Sequence, residues 1–215
     1  MIDILKEILK GKSISRILTN FELENFKVFG KVLDVGGQGG ESHYRFLDSK
    51  EADVKTINIE KKFNPNYIID VEKEKFPVPD ASWDAVLCFN LLEHIADEKN
   101  LLREIRRVLK EGGMLLGSVP FLANVHPDPH DYRRFTDEFL RKMLAECSFR
   151  DILIKSAGRG PYTAGYSQIE FTIPIIFRPL FILSAFALDY LMSLIKPKLE
   201  LDKKFVLAYI FYARK

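Results

Sequence analysis

The residues best suited to chemistry follow a short apolar run near the start of the chain. Asp34 lies at the end of this run, and four of the next six residues are glycines, Gly36, Gly37, Gly39 and Gly40. Glycines let the backbone turn with positive φ and let a ligand approach the main chain closely. A loop of this kind after the first strand of an α/β sheet is a place where nucleotide-like cofactors bind. The sequence therefore predicts a cofactor site at this loop.

Acidic residues also end the next two predicted strands. Glu60 lies 26 positions after Asp34, where an acid in dinucleotide-binding folds accepts hydrogen bonds from ribose hydroxyls. Asp70, at the end of the third strand, can accept a hydrogen bond from the exocyclic amine of an adenine. Because most carboxylates are only solvated, one such acid alone is better interpreted as a loop cap or a lysine partner. Three acids at three successive strand ends favour a nucleotide-like ligand.

A second set of candidates lies in the proline-rich segment 120–136, after the fifth predicted strand. Nine consecutive positions of this segment contain two histidines, two aspartates, one tyrosine and two arginines. Side chains of these types carry out general acid–base chemistry, so we predict an acceptor site that uses His126, His130, Asp131 and Tyr132. The alternative is a loop stiffened by its prolines, in which the histidines and aspartates satisfy backbone groups.

The sheet that would bring these residues together is predicted from the hydrophobic pattern. Strands are predicted at 31–35, 54–59, 67–69, 83–89, 114–119, 151–156 and 205–213. Helices are predicted at 2–10, at 14–26, at 42–50, from an N-cap at Asp97 to Gly112-Gly113, and from an N-cap at Thr136. Alternation of this kind predicts a doubly wound α/β sheet with right-handed crossovers, in one domain that comprises residues 1–215 and begins with N-terminal helices in 1–28.

Composition excludes several classes of function. A net charge of +2 gives no support for nucleic-acid binding, which usually requires a concentrated basic surface. The two cysteines, Cys88 and Cys147, lie in apolar segments and suggest reduced core thiols in a cytoplasmic protein. No metal is expected, because the prolines that interrupt His126, Asp128 and His130 leave no standard ligand spacing.

Four stretches in this order resemble the class I S-adenosylmethionine-dependent methyltransferases, in the type 11 branch. They are VLDVGGQGG, INIEKK, IIDVEKEKFPVPDASWDAVLCFNLLEHI and LLREIRRVLKEGGMLLGSVP, and the likeness covers roughly residues 30 to 156. The resemblance implies S-adenosyl-L-methionine as cofactor and a seven-stranded, Rossmann-like sheet whose last strand is antiparallel. It also implies that the protein is an enzyme.

The resemblance further implies a part in cofactor binding for each matching residue. Asp34 and the backbone of Gly36, Gly37, Gly39 and Gly40 would face the methionine part of the cofactor. Glu60 would hold the ribose, Asp70 and Val71 would frame the adenine, and Asn90 would lie beside the sulfonium. His94 is equally well interpreted as a structural or a catalytic histidine.

One residue departs from the family pattern, because Gln38 stands where the family usually has glycine. A side chain there would crowd the cofactor unless the loop uses a shifted register. A catalytically impaired protein that still binds S-adenosylmethionine or a nucleoside is therefore the alternative function. A nicotinamide cofactor is a weaker alternative, because G-x-G-x-x-G counted from Gly36 would require glycine at Gln38 and Glu41.

The acceptor is expected to be a small molecule or a lipid- or sugar-linked compound. The segment His-Pro-x-Pro-x-Asp-Tyr-x-Arg-Phe-Thr resembles that of type 11 enzymes of cell-envelope polysaccharide and lipid pathways. Arsenic methylation would require more thiolates than the two cysteines supply. Nucleic-acid methylation would require an Asn/Asp-Pro-Pro-Tyr/Phe motif, which Asn90-Leu-Leu-Glu does not match.

Residues 159–204 are far longer than the tight hairpin expected between the last two strands. Their centre, 171–195, is the most apolar stretch of the chain, but Arg178, Asp189 and two prolines interrupt it. We predict an apolar helical insertion that forms a lid with an exposed apolar face, suited to an acceptor with a lipid tail. A peripheral membrane contact, a homodimer interface and burial in the protein's own core are the other interpretations.

Overall fold

The computed structural model describes residues 2–39 and 42–215. Seven strands form one sheet: β1 (Lys27–Val35), β2 (Asp48–Asn58), β3 (Tyr67–Ile68), β4 (Trp83–Phe89), β5 (Leu109–Pro120), β6 (Arg150–Gly158) and β7 (Val206–Arg214). Their order is β3-β2-β1-β4-β5-β7-β6, and β7 is antiparallel to both of its neighbours while the other pairs are parallel. The predicted fold class is confirmed, including the antiparallel last strand.

The helices surround this sheet, and side-chain caps mark where several of them begin. They are α1 (Ile2–Leu9), α2 (Ile14–Leu23), α3 (Glu98–Val108), α4 (Asp137–Glu146), α5 (Pro161–Ile169), α6 (Arg178–Ile195) and α7 (Leu201–Lys204). Asp97 accepts a hydrogen bond from the backbone N–H of Asn100, and Thr136 accepts one from Phe139. Both predicted N-caps are confirmed, since each satisfies a backbone donor that the first helical turn leaves free.

Two predicted boundaries are wrong. Residues 42–45 form a single 3-10 turn instead of a helix to residue 50, and β2 begins at Asp48 to pair with β1. Helix α3 ends at Val108, so Gly112 and Gly113 lie within β5. There the β4–β5 pairing shifts its register, and Gly112 takes a φ of +73° in the bulge.

The carboxyl ends of β1 and β4 define the place where a ligand can bind. Strand β1 pairs with β2 on one side and with β4 on the other, so the crossover connections leave β1 and β4 in opposite directions. A doubly wound sheet opens a crevice at such a switch point, outside the carboxyl ends of its strands. The glycine loop follows β1 and therefore lies in this crevice.

A second, smaller core covers part of the carboxyl edge. Buried side chains from the N-terminal helices pack against those of the insertion between β6 and β7; they include Ile8, Ile14, Ile17, Ala164, Tyr166, Ile182 and Phe186. Glu170, in the 3-10 turn after α5, accepts the backbone N–H of Ile14 at 3.0 Å and so ties α2 to the insertion. The N-terminal helices and the insertion together form one wall above the sheet.

Candidate functional site

A cavity of about 580 Å³ lies at the carboxyl edge of the sheet. Its lining comes from the loops that follow β1, β4 and β5, from residues 10–20, and from the end of α5. The lining includes Asp34, Gly36, Gly37, Gln38, His43, Asn90, Ser118, His126, Ser167 and Glu170. Pockets of this size bury most of a small ligand, so the cavity is the candidate site.

The glycine loop after β1 adopts a conformation that only some residues allow. Gly36 and Gly39 have φ values of +84° and +75°, a region that favours glycine. A Cβ atom at Gly37 would overlap the carboxylate of Asp34. Gln38, by contrast, is not among the residues with positive φ, so its place in the loop does not require glycine. Gly40 lies outside the described residues.

Asn58, which the sequence analysis did not single out, fixes this loop against β2. Its Nδ2 donates to the carbonyl oxygens of Gly36 and Gly37, each at 3.1 Å, and its Oδ1 accepts the backbone N–H of Glu60 at 2.9 Å. The asparagine therefore positions both the loop and the residue predicted to hold the ribose. A polar residue at the end of a buried strand, just before an acid, is the signal that would have identified it.

Asp34 is buried and has partners from the 3-10 turn 42–45. Its carboxylate accepts a hydrogen bond from the hydroxyl of Tyr44, and His43 Nε2 lies 3.8 Å from it. The His43 ring packs against Phe89, with 4.4 Å between the ring centroids. His43 and Tyr44 went unnoticed in the sequence because the segment was predicted to be an ordinary helix.

The other predicted cofactor residues lie at neighbouring strand ends. Glu60 follows β2 and forms an ion pair with Lys62, and its side chain is about one-third exposed. Asp70 follows β3; its pKa is lowered, chiefly because it accepts a hydrogen bond from Lys73 at 2.8 Å. Val71, half-buried, packs against the main core. All three lie outside the cavity lining, on the β2–β3 side of the glycine loop. Their contact with a cofactor stays a prediction.

Asn90 is held in a strained conformation at the end of β4. Its φ is +48°, its backbone N–H donates to the carbonyl of Ser118 at 2.8 Å, and its Oδ1 accepts from Ser118 Oγ at 3.1 Å. Residues held with positive φ cluster at functional sites. The hydrogen bonds to β5 keep Asn90 at the edge of the cavity, and its contact with the sulfonium stays a prediction.

The proline-rich loop is ordered by an arginine–carboxylate pair. Arg134 donates from both terminal nitrogens to the two oxygens of Asp131, and His126 donates its backbone N–H to the same carboxylate at 3.0 Å. The pKa of Asp131 is far below its usual range, because Arg134 stabilises the charged form. A carboxylate so engaged is a poor proton acceptor, so the geometry favours a positioning part for Asp131 over the predicted catalytic one.

The predicted histidines of this loop differ in their surroundings. His126 lines the cavity and its ring Nδ1 lies 2.7 Å from the carbonyl oxygen of Asn124. His130 and Tyr132 are exposed and pack ring against ring, 5.2 Å between centroids. The backbone carbonyl of His130 receives a hydrogen bond from His94 Nδ1. The structure thus brings His94 and His126 together at the cavity and leaves the His130 ring on the surface.

Glu93, in the 3-10 turn after β4, is completely buried beside His94. Neither of its carboxylate oxygens receives a hydrogen bond from another residue of the described chain. Burial raises the pKa of this carboxyl to about 8, because a charge there is poorly solvated. His94 Nε2 lies 3.7 Å from Glu93 Oε1. A perturbed acid next to a cavity is a candidate for a functional residue, and the sequence did not reveal this one.

The comparisons with known proteins agree with this architecture. The chain has the fold of the crystal structure of an S-adenosylmethionine-dependent methyltransferase from Archaeoglobus fulgidus, with a TM-score of 0.60, 18% identity and coverage of 94% of this chain and 95% of that one. Residues 33–117 match the type 11 family model, described as a methyltransferase domain.

Two relatives extend the likeness at the level of sequence. A probable S-adenosylmethionine-dependent methyltransferase of Mycobacterium tuberculosis is 29% identical over 100 residues, which are 44% of this chain and 36% of that protein. The match thus spans about a third of that relative's length. A ubiquinone biosynthesis O-methyltransferase of Aliivibrio fischeri is 25% identical over 189 residues, which are 72% of this chain and 79% of that protein.

The fold is that of the class I S-adenosylmethionine-dependent methyltransferases. Within that fold, residues 33–117 match the type 11 methyltransferase domain. The predicted cofactor, S-adenosylmethionine, is confirmed at the level of the family. The site fits this group: among the described residues, no heavy atom lies within 4 Å of a Cβ added at Gly39, so the loop leaves space above its backbone there, and the buried Asp34 carboxylate offers an acceptor at the cavity.

Proposed function

We propose that the protein transfers a methyl group from S-adenosylmethionine to a hydroxyl of a small or lipid- or sugar-linked acceptor. The observation that carries the proposal is the shared cavity. One side of it is the Asp34 carboxylate and the glycine loop, and the other side is the pair His94 and His126. Predicted cofactor residues and a set of acid–base groups therefore line the same cavity.

The chain's own residues would act mainly by positioning. S-adenosylmethionine supplies a methyl group on a sulfonium, which already carries a good leaving group. Asn90 and the backbone of Gly36 and Gly37 are held by hydrogen bonds to neighbouring strands, so they are preorganised to orient a ligand. Holding reactants close and aligned can provide much of the acceleration of such a displacement. The hydroxyl also has to lose its proton, which the histidine side of the cavity is placed to accept.

The names of the relatives support oxygen as the methylated atom. The protein from Aliivibrio fischeri is named as an O-methyltransferase of ubiquinone biosynthesis, and a match from Amycolatopsis mediterranei is named as a 27-O-demethylrifamycin SV methyltransferase. Both names specify oxygen as the methylated atom. For this chain we propose an alcohol or phenol as acceptor, apolar or lipid-linked because of the apolar insertion, with cell-envelope biosynthesis as the expected setting.

The insertion supports an acceptor that is presented at a membrane surface. Of the helices that the structure describes, one, Arg178–Ile195, is long and apolar enough by length and composition to cross a bilayer. Its two charged residues, Arg178 and Asp189, are buried, and its outer face is apolar: Leu180, Phe181, Leu183, Leu188, Leu191, Leu194 and Ile195 are exposed. Exposed Lys196 and Lys198 follow directly. A helix with an apolar face beside lysines suits the interface of an anionic bilayer.

Methyl transfer itself tests the proposal. We expect the purified protein to convert S-adenosylmethionine to S-adenosylhomocysteine in the presence of a quinone, sugar or polyprenyl-linked alcohol, with the methyl group found on oxygen by mass spectrometry. We also expect Glu60→Ala to weaken binding of S-adenosylhomocysteine by about 1.5–3 kcal/mol, the scale of charge-assisted hydrogen bonds.

Glu51→Ala, an exposed acid on the same strand β2 but away from its carboxyl end, is the matched control for calorimetry. Binding without turnover over the whole acceptor panel would favour the alternative function, an impaired cofactor-binding protein. Unchanged affinity in both Glu60→Ala and Asp34→Ala would refute the cofactor assignment.

A further inference from the structure

Glu93, His94 and His126 offer one ligand atom each, and these three atoms lie within 4.8 Å of one another. They come from two separate elements, the 3-10 turn after β4 and the loop after β5. Two imidazoles and one carboxylate form a common protein donor set for a divalent transition metal. The sequence did not predict this set, since Glu93 and His94 lie more than 30 residues before His126.

Hydrogen bonds at Nδ1 orient both imidazoles so that Nε2 is the atom available to bind a metal. His94 Nδ1 faces the carbonyl oxygen of His130, and His126 Nδ1 faces that of Asn124. A carbonyl oxygen only accepts, so each Nδ1 carries a hydrogen, and in the neutral imidazole Nε2 then has a free lone pair. Histidine ligands in metal sites are oriented in this way, by donating the other ring N–H to a carbonyl or carboxylate.

Glu93 brings to the cluster a buried carboxyl that receives no hydrogen bond from another described residue, and Arg134, a nearby cation, is engaged by Asp131. The ring atom nearest to the Glu93 carboxylate, His94 Nε2 at 3.7 Å, presents a lone pair. A metal ion bound between these two groups would satisfy both of them. Metal–ligand bonds of about 2.1 Å place ligand atoms roughly 3–3.5 Å apart, so small side-chain rotations would close the set.

We propose that Glu93, His94 and His126 bind one divalent transition-metal ion, with Zn²⁺ as the first candidate, on the acceptor side of the cavity. Three protein ligands leave a coordination position open toward the cavity that His94 and His126 line. Because the ion would occupy the lone pairs of both imidazoles, an acceptor hydroxyl in that position would have a lowered pKa and lose its proton to water instead of to a histidine. The oxygen–methyl bond then forms while the sulfur–methyl bond breaks, and sulfur keeps the electron pair.

The binding site stands on geometry alone, while its part in methyl transfer rests on the proposed function. Calorimetry with ZnCl₂ and visible absorption with CoCl₂ test it on the untagged, metal-stripped full chain. We expect one ion per chain and a cobalt spectrum with d–d bands. Glu93→Gln and His126→Ala should each weaken binding at least tenfold. His130→Ala is the matched control, because it removes an exposed ring but keeps the carbonyl that orients His94.

Circular dichroism of each variant separates loss of the site from loss of the fold. Stoichiometric binding that only the two ligand variants reduce supports the proposal. Wild-type protein that binds no ion overturns it, as does equal loss in His126→Ala and His130→Ala or unchanged affinity in folded Glu93→Gln. A chain that binds the cofactor and transfers methyl groups but binds no ion refutes this inference alone. A chain that binds the ion but methylates no acceptor refutes the proposed function alone.

Discussion

At the scale of single residues, the buried carboxyl of Glu170 has two structural roles. It lines the cavity, and it accepts the backbone N–H of Ile14 at 3.0 Å. Burial raises the pKa of Glu170 to about 7, against the opposite influence of this hydrogen bond and of Arg178. The carboxyl that joins α2 to the insertion therefore changes its charge close to neutral pH.

A stability measurement checks this pKa. Because the folded state holds the proton more tightly than the unfolded state, Glu170 contributes stability that is full below about pH 4.5 and is lost as the pH rises to about 7. Between pH 4.5 and 7.5, we expect the free energy of unfolding to fall by less in Glu170→Gln than in the wild type. The two decreases should differ by on the order of 1–3 kcal/mol in urea titrations. Thr172→Ala, a nearby change without a titrating group, should keep the wild-type slope. Parallel profiles for wild type and Glu170→Gln would contradict the assignment.

Part of the candidate site could be predicted from residue types, because some functional patterns involve only residues that are neighbours in the sequence. Asp34, the glycines and Asn90 were found because a strand end followed by special backbone conformations leaves a pattern in neighbouring residues. Asn58 and Glu93 were missed because what matters about them is a tertiary environment: one bridges two strands, and the other is buried without a donor. Burial of a polar group cannot be recognised from its neighbours in sequence.

At the scale of elements, α5 depends on a cap from another helix. Gly160, before its first turn, has no side chain to accept the free backbone donors. Asp189 of α6 does so instead, accepting the N–H groups of Tyr162 and Thr163, each at 2.9 Å. A Cβ atom at Gly160 would overlap this carboxylate, so glycine is needed there for the close approach. The acid that interrupts the apolar helix in sequence thus holds the insertion together.

Removal of this cap should loosen the insertion. We expect Asp189→Ala to lower the free energy of unfolding by about 2 kcal/mol, because two donors at a helix N-terminus lose a charged partner. Asp189→Asn should recover part of the loss, since its amide oxygen can still accept one bond. Ser193→Ala, on the exposed side of the same helix, is the control in denaturant titrations. Equal stability of Asp189→Ala and Ser193→Ala would show that the cap contributes nothing.

Both wrong element boundaries depend on strand pairing that the local sequence does not show. The first half of β2 is largely exposed and charged, so it lacks the apolar run that marks the strands of the sheet centre. Its pairing with β1 is set by backbone hydrogen bonds between distant segments, which composition does not show. Gly112 and Gly113 indicated a helix end, but a bulge uses positive φ just as a helix cap does. Caps at Asp97 and Thr136 were predicted because they act within three residues.

At the scale of the whole molecule, the apolar residues of the insertion divide into two faces. Phe186 is 4% exposed and packs under the guanidinium of Arg159, whereas Phe181 is 49% exposed. Phe186 therefore belongs to the inner face of α6 and Phe181 to its outer face. The end of α5 and the turn after it, through Ser167 and Glu170, line the cavity, while α6 lies on the far side of this wall. The part of the insertion that lines the cavity and its outer apolar face are thus separate.

Sedimentation with liposomes tests the outer face. We expect the protein to stay soluble without detergent and to bind vesicles that contain phosphatidylglycerol. Phe181→Ser with Leu194→Ser should lower the bound fraction severalfold, because two exposed apolar anchors are lost. Phe29→Ser, an equally exposed phenylalanine on β1, is the control. If vesicles bind the double variant as well as the wild type, this face does not contact the membrane. If the wild type forms a concentration-dependent dimer and the double variant stays monomeric, the face binds a second copy of the chain.

The position of Trp83 lets its intrinsic fluorescence report on unfolding of the protein. It is the single tryptophan of the chain, 5% exposed at the first residue of β4 and packed in the main core. Strand β4 extends by about 3.3 Å per residue, so its first residue lies roughly 20 Å from its carboxyl end. Its fluorescence therefore reports on the opening of the central sheet and not on ligands at the opposite edge. We expect the tryptophan emission to stay unchanged when a ligand binds in the cavity and to shift to the red when urea unfolds the protein. One fluorescence sample would then distinguish ligand binding from loss of the fold.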